Sequence, residues 1–217
     1  AAKIVRREKD VPPEKADRLL TIIYDESEKL MEIVQSVFQA SVIATNARDL
    51  TSRPVPAQEL FRKAIAPLRE LSQDRDVRIQ VLIPSGLETI VCEPESTEAA
   101  LRAVIKNGVE FSQSSEVKLE VRRVTHDADP WLQLRVSDSG EGISEQDLPH
   151  VFEPFWQGDD SEAGKRHGIG LGLTIAKRVM ENHGGSISID SGANGGTKVV
   201  MSSPQTPPPE SEEPAPL

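Results

Sequence analysis

The chain has 217 residues, 37% of them hydrophobic, with a formal net charge of -10. That length suits one well-buried domain plus an appendage, and the modest apolar share implies that part of the chain is extended, dimer-forming or disordered. The acidic balance offers no general field for nucleic acid or anionic lipid, and a site for a phosphorylated ligand must supply its own local donors.

Residues 1–16 are charged and broken by Pro12-Pro13, which reads as a turn. From Ala16 to about Ala44, Leu19, Ile22, Ile23, Leu30, Ile33, Val34, Val37 and Phe38 recur at steps of three and four. This spacing predicts one long helix with an apolar stripe and a charged opposite face (Asp25, Glu26, Glu28, Lys29, Glu32). A lone helix cannot bury such a stripe, so it calls for a partner helix. Arg53-Pro54-Val55-Pro56 interrupts the pattern and marks a boundary. Helical spacing returns from Ala57 to about Leu71. Val77, Ile79, Val81 and Ile83 then alternate as in a half-buried strand, and Thr89–Cys92 reads as a second. Cys92, the single cysteine, lies in that apolar run and reads as a small buried hydrophobe, with no disulfide possible within the chain.

Pro94 opens a helix at a position where proline is tolerated. Val117, Leu119, Val121 and then Leu132, Leu134, Val136 predict two more strands, joined through a turn-rich His126–Pro130. A loop-rich stretch reaches Gly168, and a helix is predicted over Ile169–His183, stopped by Gly184-Gly185. Ile187, Ile189 and Val199, Met201 predict a closing hairpin. The pattern over residues 54–202 implies a two-layer α/β sandwich, helices on a mixed sheet. Residues 203–217 hold mostly Pro, Glu, Ser and Thr, and are expected to be disordered. There is no secretory signal and no apolar run of membrane-spanning length.

Four short segments can carry chemistry. Asp138-Ser139-Gly140-Glu141-Gly142 follows the strand ending at Val136. A carboxylate at a strand end can accept from an exocyclic amine, and the glycines let a flat ring approach, although Asp-Ser-Gly alone is an ordinary turn. Gly168-Ile169-Gly170-Leu171-Gly172-Leu173 opens a helix, where unpaired N–H groups and the dipole favour phosphate. Its spacing is neither the Rossmann fingerprint nor a P-loop. Asn107 sits late in the helix that starts near Pro94, and its amide oxygen suits a hard cation such as Mg2+, with a helix cap as the plain alternative. Gly195-Gly196-Thr197 alone is a hairpin turn.

Taken in order, Asn107, the Asp138 segment, Phe152-Glu153-Pro154-Phe155, the Gly168 segment and Gly196-Thr197 form a series that resembles the ATP-binding domain of sensor histidine kinases. The wider group includes DNA gyrase, heat-shock chaperones, mismatch-repair ATPases and anti-sigma kinases, and shares the Bergerat-type fold. The resemblance covers about residues 54–202. It implies that Asp138 binds the adenine amine, that Gly140, Gly142 and Ile143 belong to the same nucleotide-contacting segment, and that Thr197 assists through water. It implies Mg2+ on Asn107, phosphates against Gly168, Gly170 and Gly172, and Leu171 and Leu173 beside the nucleotide. Phe152 and Phe155 correspond to a phenylalanine box leading into a lid over ATP, here about Trp156–His167. Lys165 and Arg166, with His167, are the positive cluster near the phosphates, and one of the two is expected to reach the γ-phosphate.

The helix before residue 50 resembles the second helix of a dimerisation and phosphoacceptor hairpin, which implies a homodimer through that helix and a response regulator as the downstream partner. Localisation is expected to be cytoplasmic, with any membrane anchor upstream. The acceptor histidine is not in residues 1–50, since the four histidines are His126, His150, His167 and His183. It is expected upstream, so that the chain alone would bind ATP without phosphorylating itself at the usual site. The helix motif also departs from the family: Ala103 stands where a second Asn is usual, Gly108 where Ala is usual, and Glu110 where a basic residue is usual. These changes point to weakened metal and phosphate binding and keep a degenerate nucleotide-binding module open as an alternative, with an anti-sigma-type serine kinase as another. A gyrase-like ATPase is disfavoured, because that branch carries a Glu at the position of Ala103, and Ala cannot act as a base.

Overall fold

Alternating apolar residues build the sheet as the sequence predicts. In a computed structural model of the chain, the described residues are 12, 15, 17–24, 26–27, 52–113, 116–126, 129–158, 170–192 and 195–205. Five strands, β2 (Arg78–Leu82), β4 (Glu116–His126), β5 (Asp129–Ser137), β6 (Ser186–Ser191) and β7 (Thr197–Pro204), form one sheet in the order β2-β4-β5-β7-β6. The β2–β4 pair is parallel and the other three pairs are antiparallel, so the sheet is mixed. Val117, Leu119 and Val121 of β4, Leu132, Leu134 and Val136 of β5, and Val199 and Met201 of β7 are buried on one face. Lys118, Glu120, Arg122, Arg135 and Lys198 alternate with them toward the other.

Helices cover the apolar face. α1 (Ala57–Ile65) contributes Leu60, Phe61 and Ala64. α3 (Pro94–Phe111) contributes Ala100, Leu101, Val104, Ile105 and Val109, and α4 (Gly172–Asn182) contributes Ile175, Ala176, Val179 and Met180. Full burial of a Leu, Ile or Phe stabilises by roughly 1.5–3 kcal/mol, so this shared core fixes where the ends of α3 and α4 lie. The predicted helix over Ala57–Leu71 is in fact divided: a 3-10 turn (Ala66–Leu68) separates α1 from a short α2 (Arg69–Asp74). Pro67 lacks the N–H a continuous helix needs there.

Arg53–Pro56 is not merely a boundary. It is a strand, β1, paired antiparallel with β3 (Thr89–Cys92) in a separate two-stranded sheet, with Val55 buried between exposed prolines. Pro94 sits in the first turn of α3, as expected, and the Glu93 carboxylate caps that helix by accepting from the N–H groups of Glu95 (3.2 Å) and Ser96 (2.7 Å). Cys92 is buried, and burial pushes its thiol up to about 11. β7 continues to Pro204, and Gln205 N–H donates to the Pro130 carbonyl, so ordered structure runs past the expected edge at residue 202.

Within the predicted long helix, residues 17–24 and 26–27 are helical, with Leu19 and Ile23 half-buried and Leu20, Ile22 and Tyr24 exposed. The remainder of that helix and the tail beyond residue 205 lie outside the described residues. No described helix is long and apolar enough to cross a membrane.

Candidate functional site

One face of α3 organises the site. Ala103, Asn107 and Phe111 follow one another at steps of four and so lie above each other on the same face, spanning about 12 Å. Near its upper end, Ala103 and Asn107 face the start of α4: a Cβ placed on Gly172 would lie 3.4 Å from the Ala103 Cβ and 3.9 Å from Asn107 Oδ1. At its lower end, Gly140 lies so close to the Phe111 carbonyl that a Cβ there would collide with it. Asn107 and the Asp138 segment are thereby brought to two neighbouring turns of one helix.

At the lower end, Asp138 leaves β5 and meets the start of β7. Its N–H donates to the Thr197 carbonyl (2.9 Å), while its Oδ1 accepts from the N–H groups of Gly140 (2.8 Å) and Thr197 (3.2 Å). Both bonds fall on one oxygen; Oδ2 takes none from the described residues. Burial pushes the Asp138 carboxyl above the usual aspartate range, and the two N–H bonds offset part of that push. A half-buried carboxylate held in place with one oxygen free is an acceptor aimed at an incoming donor.

Gly142 has a φ of 80, and a Cβ on it would collide with the Gly192 carbonyl, so only glycine lets this loop pass so close to the β6–β7 turn. The next residue, Ile143, donates its N–H to Ser191 Oγ (2.8 Å). Ser191 Oγ also donates to the Gly196 carbonyl (2.9 Å) and lies 3.1 Å from Thr197 Oγ1. Sequence reading alone misses Ser191, although its place opposite Thr197 in the hairpin is the signal that could have found it. Phe111 is the other residue missed. The residue is 59% exposed and its backbone carbonyl abuts Gly140, and an exposed aromatic at a helix end is cheap to overlook in a sequence. Gln113 Nε2 donates to Glu141 Oε1 (2.7 Å) at the same rim.

At the upper end, α4 begins at Gly172, not Ile169, with no side-chain cap and no acidic residue in its first turn. Its first N–H groups are therefore open, and the positive end of its dipole faces Asn107. Gly170 has a φ of 72, and its carbonyl accepts from Phe155 N–H (2.9 Å), which ties the glycine segment to the phenylalanine segment. Leu171 is buried at 7% in the core, so its side chain supports the loop from below, and Leu173 packs half-buried against the same core. Gly168, Lys165 and Arg166 lie outside the described residues, as does the lid from residue 159 onward.

The two phenylalanines differ. Phe152 is half-buried: its carbonyl accepts from Thr174 Oγ1 (3.0 Å), and Lys177 Nζ lies 5.6 Å from its ring centroid. Phe155 is 62% exposed and holds a φ of 65, a conformation that costs a non-glycine residue roughly 1–2 kcal/mol.

The departures on α3 have structural counterparts. A Cβ on Gly108 would lie 3.3 Å from Val117 Cγ1, so glycine here reflects close packing of α3 on β4. The Glu110 carboxylate lies 3.7 Å from Lys106 Nζ with a side chain only 10% exposed, so its negative charge is offset locally. Ala103 allows the close approach of α4 that Gly172 completes.

Comparison with known proteins agrees with this geometry. The family described as histidine kinase-, DNA gyrase B-, and HSP90-like ATPase matches residues 93–207, just over half of the chain and including both ends of the site. The sensor histidine kinase YclK of Bacillus subtilis is 23% identical over 206 residues, covering 90% of this chain and 41% of that protein. The signal transduction histidine-protein kinase BarA of Escherichia coli is 25% identical, covering 87% and 21%. The virulence sensor protein BvgS of Bordetella bronchiseptica is 28% identical, covering 84% and 15%. The chain thus spans less than half the length of each of these relatives. In fold it is similar to full-length ShkA, solved in complex with AMPPNP (TM-score 0.72, 21% identity, 93% of this chain and 41% of that one). It is also similar to the Acinetobacter baumannii histidine kinase AdeS (TM-score 0.69, 17% identity, 94% and 90%). With the Asp138 carboxylate held beside the C-terminal end of α3, an uncapped helix start beside Ala103 and Asn107, and a family match spanning both, this chain belongs to the histidine kinase-, DNA gyrase B-, and HSP90-like ATPase family.

Proposed function

We propose that the chain is the ATP-binding catalytic part of a two-component sensor histidine kinase. The observation that carries this reading is the free oxygen of Asp138, fixed by Gly140 and Thr197 two turns of α3 away from the uncapped start of α4. Asp138 Oδ2 accepts from the adenine amine, and Thr197 assists through water. The open N–H groups at Gly172 and Leu173 receive phosphate oxygens, with Gly168 and Gly170 shaping the loop before them.

Asn107 offers one amide oxygen beside that helix start, and no group of three His, Cys, Asp or Glu able to hold a metal occurs among the described residues. This suits Mg2+, which keeps its waters and takes most of its ligands from phosphates, and which supplies charge neutralisation when bound. Lys165 or Arg166 contacts the γ-phosphate; if both alanine variants keep full ATP affinity and turnover, that assignment fails. An imidazole nitrogen of a histidine outside residues 1–217 attacks the γ-phosphorus, the bond to the ADP oxygen breaks, and the phosphoryl group passes on to an aspartate of a response regulator. The protein's part is positioning and charge compensation. The striped helix before residue 50 brings two copies together, in the cytoplasm.

The test is direct. The protein at its natural full length is incubated with Mg-ATP labelled in the γ-phosphate, and acid-labile, base-stable label on histidine is expected. Tight ATP binding with no transfer would instead establish a nucleotide-binding module without phosphotransfer.

A further inference from the structure

Ser191 closes β6 directly opposite Thr197, and its hydroxyl has three partners. Ile143 N–H donates to it at 2.8 Å, the Gly196 carbonyl lies at 2.9 Å, and Thr197 Oγ1 lies at 3.1 Å. A serine hydroxyl has one hydrogen and two lone pairs. The amide of Ile143 can only donate, so it fills one lone pair. The carbonyl of Gly196 can only accept, so it takes the hydrogen. The third contact is satisfied only if Thr197 donates its own hydrogen to the remaining lone pair. Thr197 Oγ1 then has lone pairs to offer and no hydrogen. Asp138, whose Oδ1 accepts from the Thr197 N–H, offers only acceptors when ionised.

We propose that Ser191 is a specificity-determining residue: it commits the Thr197 hydroxyl as an acceptor, so that Asp138 and Thr197 together present acceptors alone and select a purine with an exocyclic amine. A 6-oxo purine, such as guanine or hypoxanthine, meets acceptor against acceptor at this edge. Asp138 supplies the larger share of the discrimination, and Ser191 prevents Thr197 from rotating to donate and relax it. The inference rests on the adenine reading of the Asp138 site. It goes further by assigning a proton order to a hydroxyl pair and a role to a residue that touches no nucleotide itself.

ATP and inosine triphosphate differ only at this edge, so their dissociation constants read the effect. The wild-type protein is expected to favour ATP by about 100-fold, in line with the cost of mismatched polar groups in a site built around a hydrogen bond. Ser191→Ala frees the Thr197 hydroxyl, and the preference is expected to fall about fivefold to tenfold, mainly through tighter inosine triphosphate binding. Ser191→Thr keeps the hydroxyl and is expected to retain the preference. Thr197→Val removes the rotor, and adding Ser191→Ala to it is expected to change the preference no further. Equal loss of affinity for both nucleotides in Ser191→Ala, with the preference intact, overturns the proposal while leaving the adenine site standing. An unchanged effect of Ser191→Ala in the Thr197→Val background overturns it too. A wild-type protein that binds both nucleotides equally overturns the adenine reading together with this one.

Discussion

The two ends of the α3 face are built by opposite means. Around Asp138, polar groups are matched to one another: two N–H groups hold one carboxylate oxygen, and Ser191 ties Ile143, Gly196 and Thr197 together. Around Asn107, small residues do the work. Ala103 and Gly172 bring two helices close, and the helix start is left uncapped. On the proposed reading the first end recognises through the direction of hydrogen bonds, which tolerates little change in chemistry. The second recognises through backbone groups and a dipole, which tolerate side-chain change as long as volume is kept. That contrast accounts for where this chain departs from its family. All three unusual residues, Ala103, Gly108 and Glu110, lie on α3, and none lies in the Asp138 hydrogen-bond network.

The sharpest way to break the contrast is Asp138→Asn. The amide oxygen can still accept from Gly140 and Thr197, but an NH2 group replaces the free acceptor and opposes the adenine amine. ATP affinity measured by calorimetry is expected to fall about 100-fold, on the order of 3 kcal/mol, with little change in melting temperature. The same variant exposes a pH effect. The folded carboxyl titrates above its unfolded value because of burial, so the native state holds an extra proton between the two values. Stability from this group therefore falls as pH rises through that window, and wild type should gain melting temperature relative to Asp138→Asn on acidification.

Gly172→Val probes the other end through volume. Its Cβ would already touch Ala103, and two further methyl groups must displace Asn107 or the helix start. ATP affinity is expected to drop about tenfold, while adenosine, which lacks phosphates, changes by less than about twofold. Equal losses for both ligands would erase the division between the ends. Asn107→Ala is expected to remove most of the gain in ATP affinity that Mg2+ confers, about fivefold to tenfold, and to leave affinity in chelator unchanged. The smallest effect is expected at Glu93→Ala, far from both ends. Loss of the α3 cap costs about 1 kcal/mol, or about 2–4 °C in melting temperature, with ATP affinity intact.

Much of this was legible in the sequence. The alternation of β4, β5 and β7 and the apolar spacing of α3 and α4 give the sandwich, because burial on one face leaves a period that can be counted. Asp138, Asn107, Gly172 and Thr197 were singled out because their order along the chain resembles a family series, since each of these segments alone reads as an ordinary turn, cap or helix start. Ser191 was missed because its role is a cross-strand relation, visible only when β6 lies beside β7. Phe111 was missed because its significance is exposure, and a pattern search reads apolar residues as buried. β1 was missed because two prolines suggest a break, whereas alternate prolines can sit on a strand whose paired positions are the residues between them.

That strand has a further consequence. Ala57 N–H donates to the Glu88 carbonyl at 2.8 Å, on the side of β3, so Arg53 and Val55, in the same phase, face β3 as well. Pro54 and Pro56 then occupy the outward phase, where they have no hydrogen to offer. The outer border of β1 is chemically blunt: a neighbouring chain could be offered carbonyls there but would receive no amide bond in return. The domain thus begins with a margin that resists strand-by-strand self-association.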